Sequence, residues 1–175
     1  MKNLLTLSIV IISIFSLEGQ TDISFNPLGT AFGNPKLGAD IALSDRVSIE
    51  PIVGFRLSDR EYLGDAGTYS TMAFLKLYTS KAKIAKGFFV GPWMKFVSRK
   101  FDSNLEINED PRENRLGLGL GFGYKAVYRN NIVFSFDCGS GWANKDKVIT
   151  DQGDENLDVS IPIMTHGRLS IGYRF

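Results

Sequence analysis

Residues 114–126 read N-R-L-G-L-G-L-G-F-G-Y-K-A. Leu116, Leu118, Leu120, Phe122 and Tyr124 fall at every second position. Arg115, Gly117, Gly119, Gly121, Gly123 and Lys125 fill the positions between them. A strict period of two puts successive side chains on opposite faces of a strand, and no helix can use such a pattern. The run is also longer than an ordinary strand of about 5–6 residues and reaches the roughly 9–11 that a membrane-crossing strand needs.

The same alternation recurs on both sides of this stretch. It predicts strands near 22–31, 36–43, 46–57, 68–80, 87–99, 113–127, 131–143 and 161–175. Eight is an even number, which an antiparallel sheet needs to close as a barrel. Ser44-Asp45, Lys81 to Lys86 and Arg129-Asn130 read as short turns. Ser58 to Gly67, Lys100 to Arg112 and Asn144 to Ser160 read as longer polar loops, with Phe32 to Pro35 a short member of that second set. Alternating short and long connections match the periplasmic turns and outer loops of membrane barrels.

The N-terminus differs from the rest. Met1-Lys2-Asn3 is basic, Leu4 to Phe15 is almost unbroken apolar, and Gly19 supplies a small residue. This is the layout of a secretory signal peptide. The apolar run falls short of the roughly 20 residues a spanning helix requires. The expected organisation is a signal peptide over 1–19 and one barrel domain over 20–175. No Cys lies near the expected cut, which argues against a lipid anchor. Cys138 is the single cysteine, so no disulfide forms within the chain.

Composition agrees with an all-β reading. Gly (18) and Phe (13) are plentiful among 175 residues, and helix signals are weak. Hydrophobic residues make up 43%, and the mean hydropathy of −0.04 looks like that of a soluble protein. A membrane barrel gives the same average, because lipid-facing and lumen-facing residues cancel. The net charge of +1 offers no electrostatic case for a nucleic-acid partner.

If the apolar faces point outward, Asp40, Glu50, Lys76, Lys95, Arg115, Lys125, Asp137 and Arg168 point into the lumen. Both signs occur in similar number. An eight-stranded barrel is just wide enough for side chains to fill it, and buried charges must be paired. A cross-linked network that plugs the lumen is expected. The glycines of 117–123 are expected to make room for long Lys and Arg neighbours. Trp93, Trp142, Tyr62, Tyr128 and Tyr173 lie near the expected strand ends or within reach of them, where aromatic girdles would sit.

The final strand, Gly167 to Phe175, alternates Leu169, Ile171, Tyr173 and Phe175 on one face. It resembles the terminal signal of outer-membrane barrels, which implies the barrel-assembly machinery as a partner. The expected mature chain as a whole resembles the small eight-stranded outer-membrane barrels, the OmpA/OmpX-type group. Within it, Asn26-Pro27-Leu28-Gly29 and the run from Leu37 to Ile49 resemble an uncharacterised family of such barrels. The resemblance implies fold, outer-membrane lipid as surroundings, and no reaction.

Chemistry is sparse. One His and one Cys do not support a His/Cys metal site, and no cofactor is expected. A Ser/His/acid triad would need His166 with Ser160 or Ser170. His166 shares its face with Arg168 and Ser170, a face expected to be lumenal. Gly119-Leu120-Gly121-Phe122-Gly123 lacks the following helix that a phosphate loop requires. The acidic stretches with Glu106, Glu109, Asp110 and Glu113, and with Asp154 and Glu155, match no calcium-loop spacing. The expected role is a non-enzymatic outer-membrane barrel, structural or acting through its loops. The alternatives are a narrow pore for small solutes, an outer-membrane lipid-modifying enzyme, and a soluble barrel with an apolar interior.

Overall fold

The computed structural model describes residues 20–56, 65–80, 85–101, 112–129, 131–144, 147–150, 153–156 and 162–175. The expected signal peptide, Tyr62 and most of the residues expected in the long loops lie outside that set. Among the described residues the strands are β1 (Thr21–Phe25), β2 (Lys36–Ser44), β3 (Val47–Arg56), β4 (Asp65–Tyr78), β5 (Gly87–Phe101), β6 (Arg112–Val127), β7 (Ile132–Ala143), β8 (Lys147–Thr150), β9 (Gly153–Asn156) and β10 (Ile163–Arg174). One short helix, α1 (Pro27–Ala31), follows β1.

Eight of these strands close a ring. Each of β1 to β7 pairs antiparallel with its sequence neighbour, β7 pairs with β10, and β10 returns to β1. Closure leaves no edge in the ring and gives every ladder a partner. The other two strands form a hairpin. β8 pairs with β6 at Arg112 to Asn114, and β9 pairs with β8. Part of the segment expected to be a loop over 144–160 is therefore ordered sheet that extends β6 beyond the ring.

The expected strand over 22–31 stops at Phe25. Asn26 caps a helix there, its Oδ1 accepting from Gly29 N at 2.9 Å. Pro27 occupies the first helical position, where its missing N–H costs nothing. The connection to β2 is consequently longer than Phe32 to Pro35.

Alternation fixes the two faces. Leu118, Leu120 and Phe122 are 58%, 66% and 57% exposed, whereas Lys125 is 2% exposed. No outward strand position with a described side chain carries Asp, Glu, Lys or Arg. The inside splits into two halves. Phe74, Tyr78, Phe89, Trp93, Val97, Ala143 and Met164 form a buried apolar cluster. Charged side chains fill the remainder.

The glycines of β6 serve the apolar half. A Cβ at Gly119 would lie 2.5 Å from Trp93 Cζ2, and one at Gly123 would lie 2.5 Å from Phe89 Cζ. Gly117 faces Met164, and Gly121 faces Phe74 and His166. The space is thus taken by bulky apolar groups and the His166 ring, in place of the expected Lys and Arg. Trp93 is 2% exposed and belongs to this packing, so its expected place in an outer girdle is corrected. Trp142, Tyr128 and Tyr173 do lie on the outside.

Candidate functional site

The charged half of the lumen is one continuous chain of ion pairs. It starts low, at the end where β2 turns into β3. Arg174 Nε lies 2.6 Å from Asp22 Oδ1. Lys125 Nζ lies 2.9 Å from both Asp22 Oδ2 and Asp40 Oδ2. Lys76 Nζ bridges Asp40 Oδ2 at 2.8 Å and Glu50 Oε2 at 2.7 Å. Arg168 then joins Glu50, at 2.8 and 2.5 Å, to Asp137, at 3.0 and 2.7 Å. Cations and anions alternate along the whole chain.

Six different strands, together with β10 twice, supply these groups. Each sits on the inward parity of its strand, so the sheet's period of two delivers it to the centre. Aromatic faces cover the ammonium groups. Lys76 Nζ lies 4.6 Å from the Phe89 ring centre, and Lys125 Nζ lies 5.1 Å from that of Tyr78. Burial raises the cost of separating any pair, since a partner left alone has no water to turn to.

Of the residues expected in the lumen, Asp40, Glu50, Lys76, Lys125, Asp137 and Arg168 come together here. Lys95 and Arg115 do not join the chain. Both are half-buried, nearer the end that carries the long connections. Lys95 Nζ donates to the Thr165 carbonyl at 3.5 Å. Sequence reasoning missed Asp22 and Arg174, which extend the chain at its lower end. Their signal was present, since Asp22 alternates with Ile23 and Arg174 with Tyr173 and Phe175.

His166 is buried among rings. It meets Trp93 and Phe74 edge-on, at 5.0 and 5.7 Å between ring centres. Its Nε2 lies 3.5 Å from Asp137 Oδ1, and neither ring nitrogen has a hydrogen-bond partner among the described residues. Ser170 is engaged elsewhere, its Oγ 2.7 Å from Ser135 Oγ. The Ser170–His166 contact a triad requires is therefore not made.

Between Lys36, Lys95, Asp137, His166 and Arg168 lies a small recess with free volume of about 10 Å³. That is room for about one water molecule. On the outer face, Leu169, Tyr173 and Phe175 are exposed and Ile171 is half-buried. Cys138 is half-buried and outward by alternation. No family model matches this chain, and no curated protein or solved structure is significantly similar to it.

Proposed function

We propose that this chain is an outer-membrane β-barrel whose outer belt faces lipid and whose lumen is closed by paired charges. One observation carries the reading: the outward face of all eight ring strands is free of charge wherever its side chains are described, while eight of the inward charged side chains pair with one another. A soluble protein seldom exposes apolar patches beyond a few hundred Å². In lipid the same belt is the favourable arrangement, and ring closure satisfies the backbone that lipid cannot. On β6 the apolar positions run from Leu116 to Ala126. Ten residue steps span about 34 Å, or about 25 Å of membrane height at a tilt of about 40°.

On this reading the role is structural or surface-interacting, without catalysis. The segment 1–19 acts as the export signal. The outward row of Leu169, Ile171, Tyr173 and Phe175 is what the assembly machinery recognises. The filled lumen favours a closed body over a pore. Membrane fractionation with heat-modifiable gel mobility tests the proposal. The full chain should partition with outer membranes and migrate faster unboiled than boiled. Recovery in the soluble fraction, with no mobility shift, would reject it. Steady single-channel openings in planar bilayers would favour the pore instead.

A further inference from the structure

The strands of the ring do not all rise to one level. β10 pairs with β7 from Ile163 to Tyr173, but with β1 only from Ile171 to Arg174. β1 ends at Phe25 and β2 begins at Lys36. On the far side β3 runs on to Arg56, paired with β4. Between β10 and β3 the upper wall therefore has a notch that no strand fills among the described residues. α1 stands there instead. It follows directly on Phe25 and Asn26, and Phe25 is the partner of Ile171, so α1 packs beside the stretch of β10 above Ile171. A helix beside a strand edge is one way of covering it.

α1 lies in the line of the wall. A Cβ at Gly167, on the outer face of β10, would meet nothing within 4 Å, so the helix does not lie over it. No residue of α1 joins the buried apolar cluster or lines the recess in the lumen. The segment also satisfies much of its own backbone. Asn26 Oδ1 accepts from Gly29 N at 2.9 Å, Asn26 O from Thr30 N at 3.0 Å, and Gly29 O from Asn34 N at 2.6 Å. Pro27 has no N–H to satisfy. Hydrogen bonds kept within one segment are what lipid demands.

The free side of this segment is apolar. Leu28 and Phe32 stand four residues apart, which puts them on one face. They are 51% and 80% exposed, and Phe32 is the most exposed of the large apolar side chains among the described residues. The outer belt continues on both flanks, with Val53 and Phe55 of β3 and Leu169 of β10 exposed. A helix of five residues rises about 7 Å, well within a belt of about 25 Å.

We propose that α1 is part of the membrane wall, and that Leu28 and Phe32 face the acyl chains of the surrounding lipid. The helix replaces the missing upper part of β1 and carries the apolar belt across the notch. This inference rests on the membrane reading.

Nitroxide labels test it in the full chain folded into lipid vesicles. Cys138→Ser removes the single native thiol. Leu28→Cys, Phe32→Cys and, as the reference in the β6 belt, Leu120→Cys then each carry one label. Collisions with oxygen, which concentrates in lipid, are compared with collisions with a nickel chelate, which stays in water. The oxygen-to-nickel ratio at Leu28→Cys and Phe32→Cys should match that at Leu120→Cys. Ready access of nickel to both α1 labels, with Leu120→Cys still in lipid, would overturn the inference and leave the membrane reading standing. Low access of both reagents to the α1 labels would overturn it as well, by placing protein, such as a second copy of this chain, over the helix. Nickel access at all three positions would remove the membrane reading and this inference with it. Heat-modifiable mobility checks that each variant folds, and if one α1 variant does not, the other reads the same face.

Discussion

Arg168 and Glu50 stand 118 positions apart in sequence, yet the guanidinium meets the carboxylate with two parallel hydrogen bonds, at 2.8 and 2.5 Å. The same guanidinium also holds Asp137. Arg168 is therefore the cation between two buried anions, and removing it should cost more than removing either of its partners. Arg168→Met should destabilise the barrel by about 3–5 kcal/mol, because Asp137 then keeps no cation. Glu50→Gln should cost less, since Lys76 retains Asp40 and Arg168 retains Asp137. Urea unfolding from lipid vesicles measures both, as a midpoint shift at constant slope. Equal costs, or a larger loss for Glu50→Gln, would contradict the alternating chain.

The β6 glycines give a ranking. A Cβ at Gly117 would press mainly on Met164, whose flexible thioether can move. At Gly119 it would meet the Trp93 ring and the Gly141 backbone, neither of which yields easily. At Gly167, on the outer face, it would meet nothing within 4 Å. Gly119→Ala should therefore cost about 1–3 kcal/mol or more by overpacking, and Gly117→Ala less. Gly167→Ala should be neutral or slightly stabilising, because alanine restricts the unfolded chain. The same unfolding series tests the order, and an inverted order would mean the apolar half is packed otherwise.

The barrel was legible because the alternation of Leu116 to Tyr124 survives into three dimensions without interruption. The inward charges were legible by the same rule, one strand at a time. Pairing was not, because Lys125 meets Asp22 across 103 positions and only ring closure brings them together. The girdle reading of Trp93 fails because the residue stands at the middle of β5, away from either strand end, and on the inward face. Parity with Lys95 and Gly91, two residues to either side, would have assigned it to the lumen. The helix at Pro27 was hidden by an apparent continuation of the strand, although Asn26-Pro27 carries both a cap and a first-turn proline.

The two tryptophans should report opposite surroundings. Trp142 is 66% exposed on the outer face and Trp93 is sealed inside. In vesicles containing brominated lipid, Trp142 fluorescence should be strongly quenched in a Trp93→Phe variant. Trp93 fluorescence should be nearly untouched in Trp142→Phe. Comparable quenching of both would mean that lipid chains reach the lumen or that the faces are exchanged.

Leu120 provides the sharpest test of what surrounds the barrel. It is 66% exposed at the middle of the β6 belt, between Gly119 and Gly121, whose positions face inward. In water, replacing so exposed a leucine with arginine would change stability little, within about 0.5 kcal/mol. In a bilayer the same change puts a charge near the midplane, at a cost of about 2–4 kcal/mol. Alanine at this position serves as the control, since it removes the side chain without adding charge. Asn114 lies on the same face but beyond the apolar run, so Asn114→Arg should cost about 0–1 kcal/mol. The expected result is therefore a penalty that grows with depth along one face of one strand. Unfolding measured in vesicles should show it, and a flat profile from Asn114 to Leu120 would mean the outer face never met lipid.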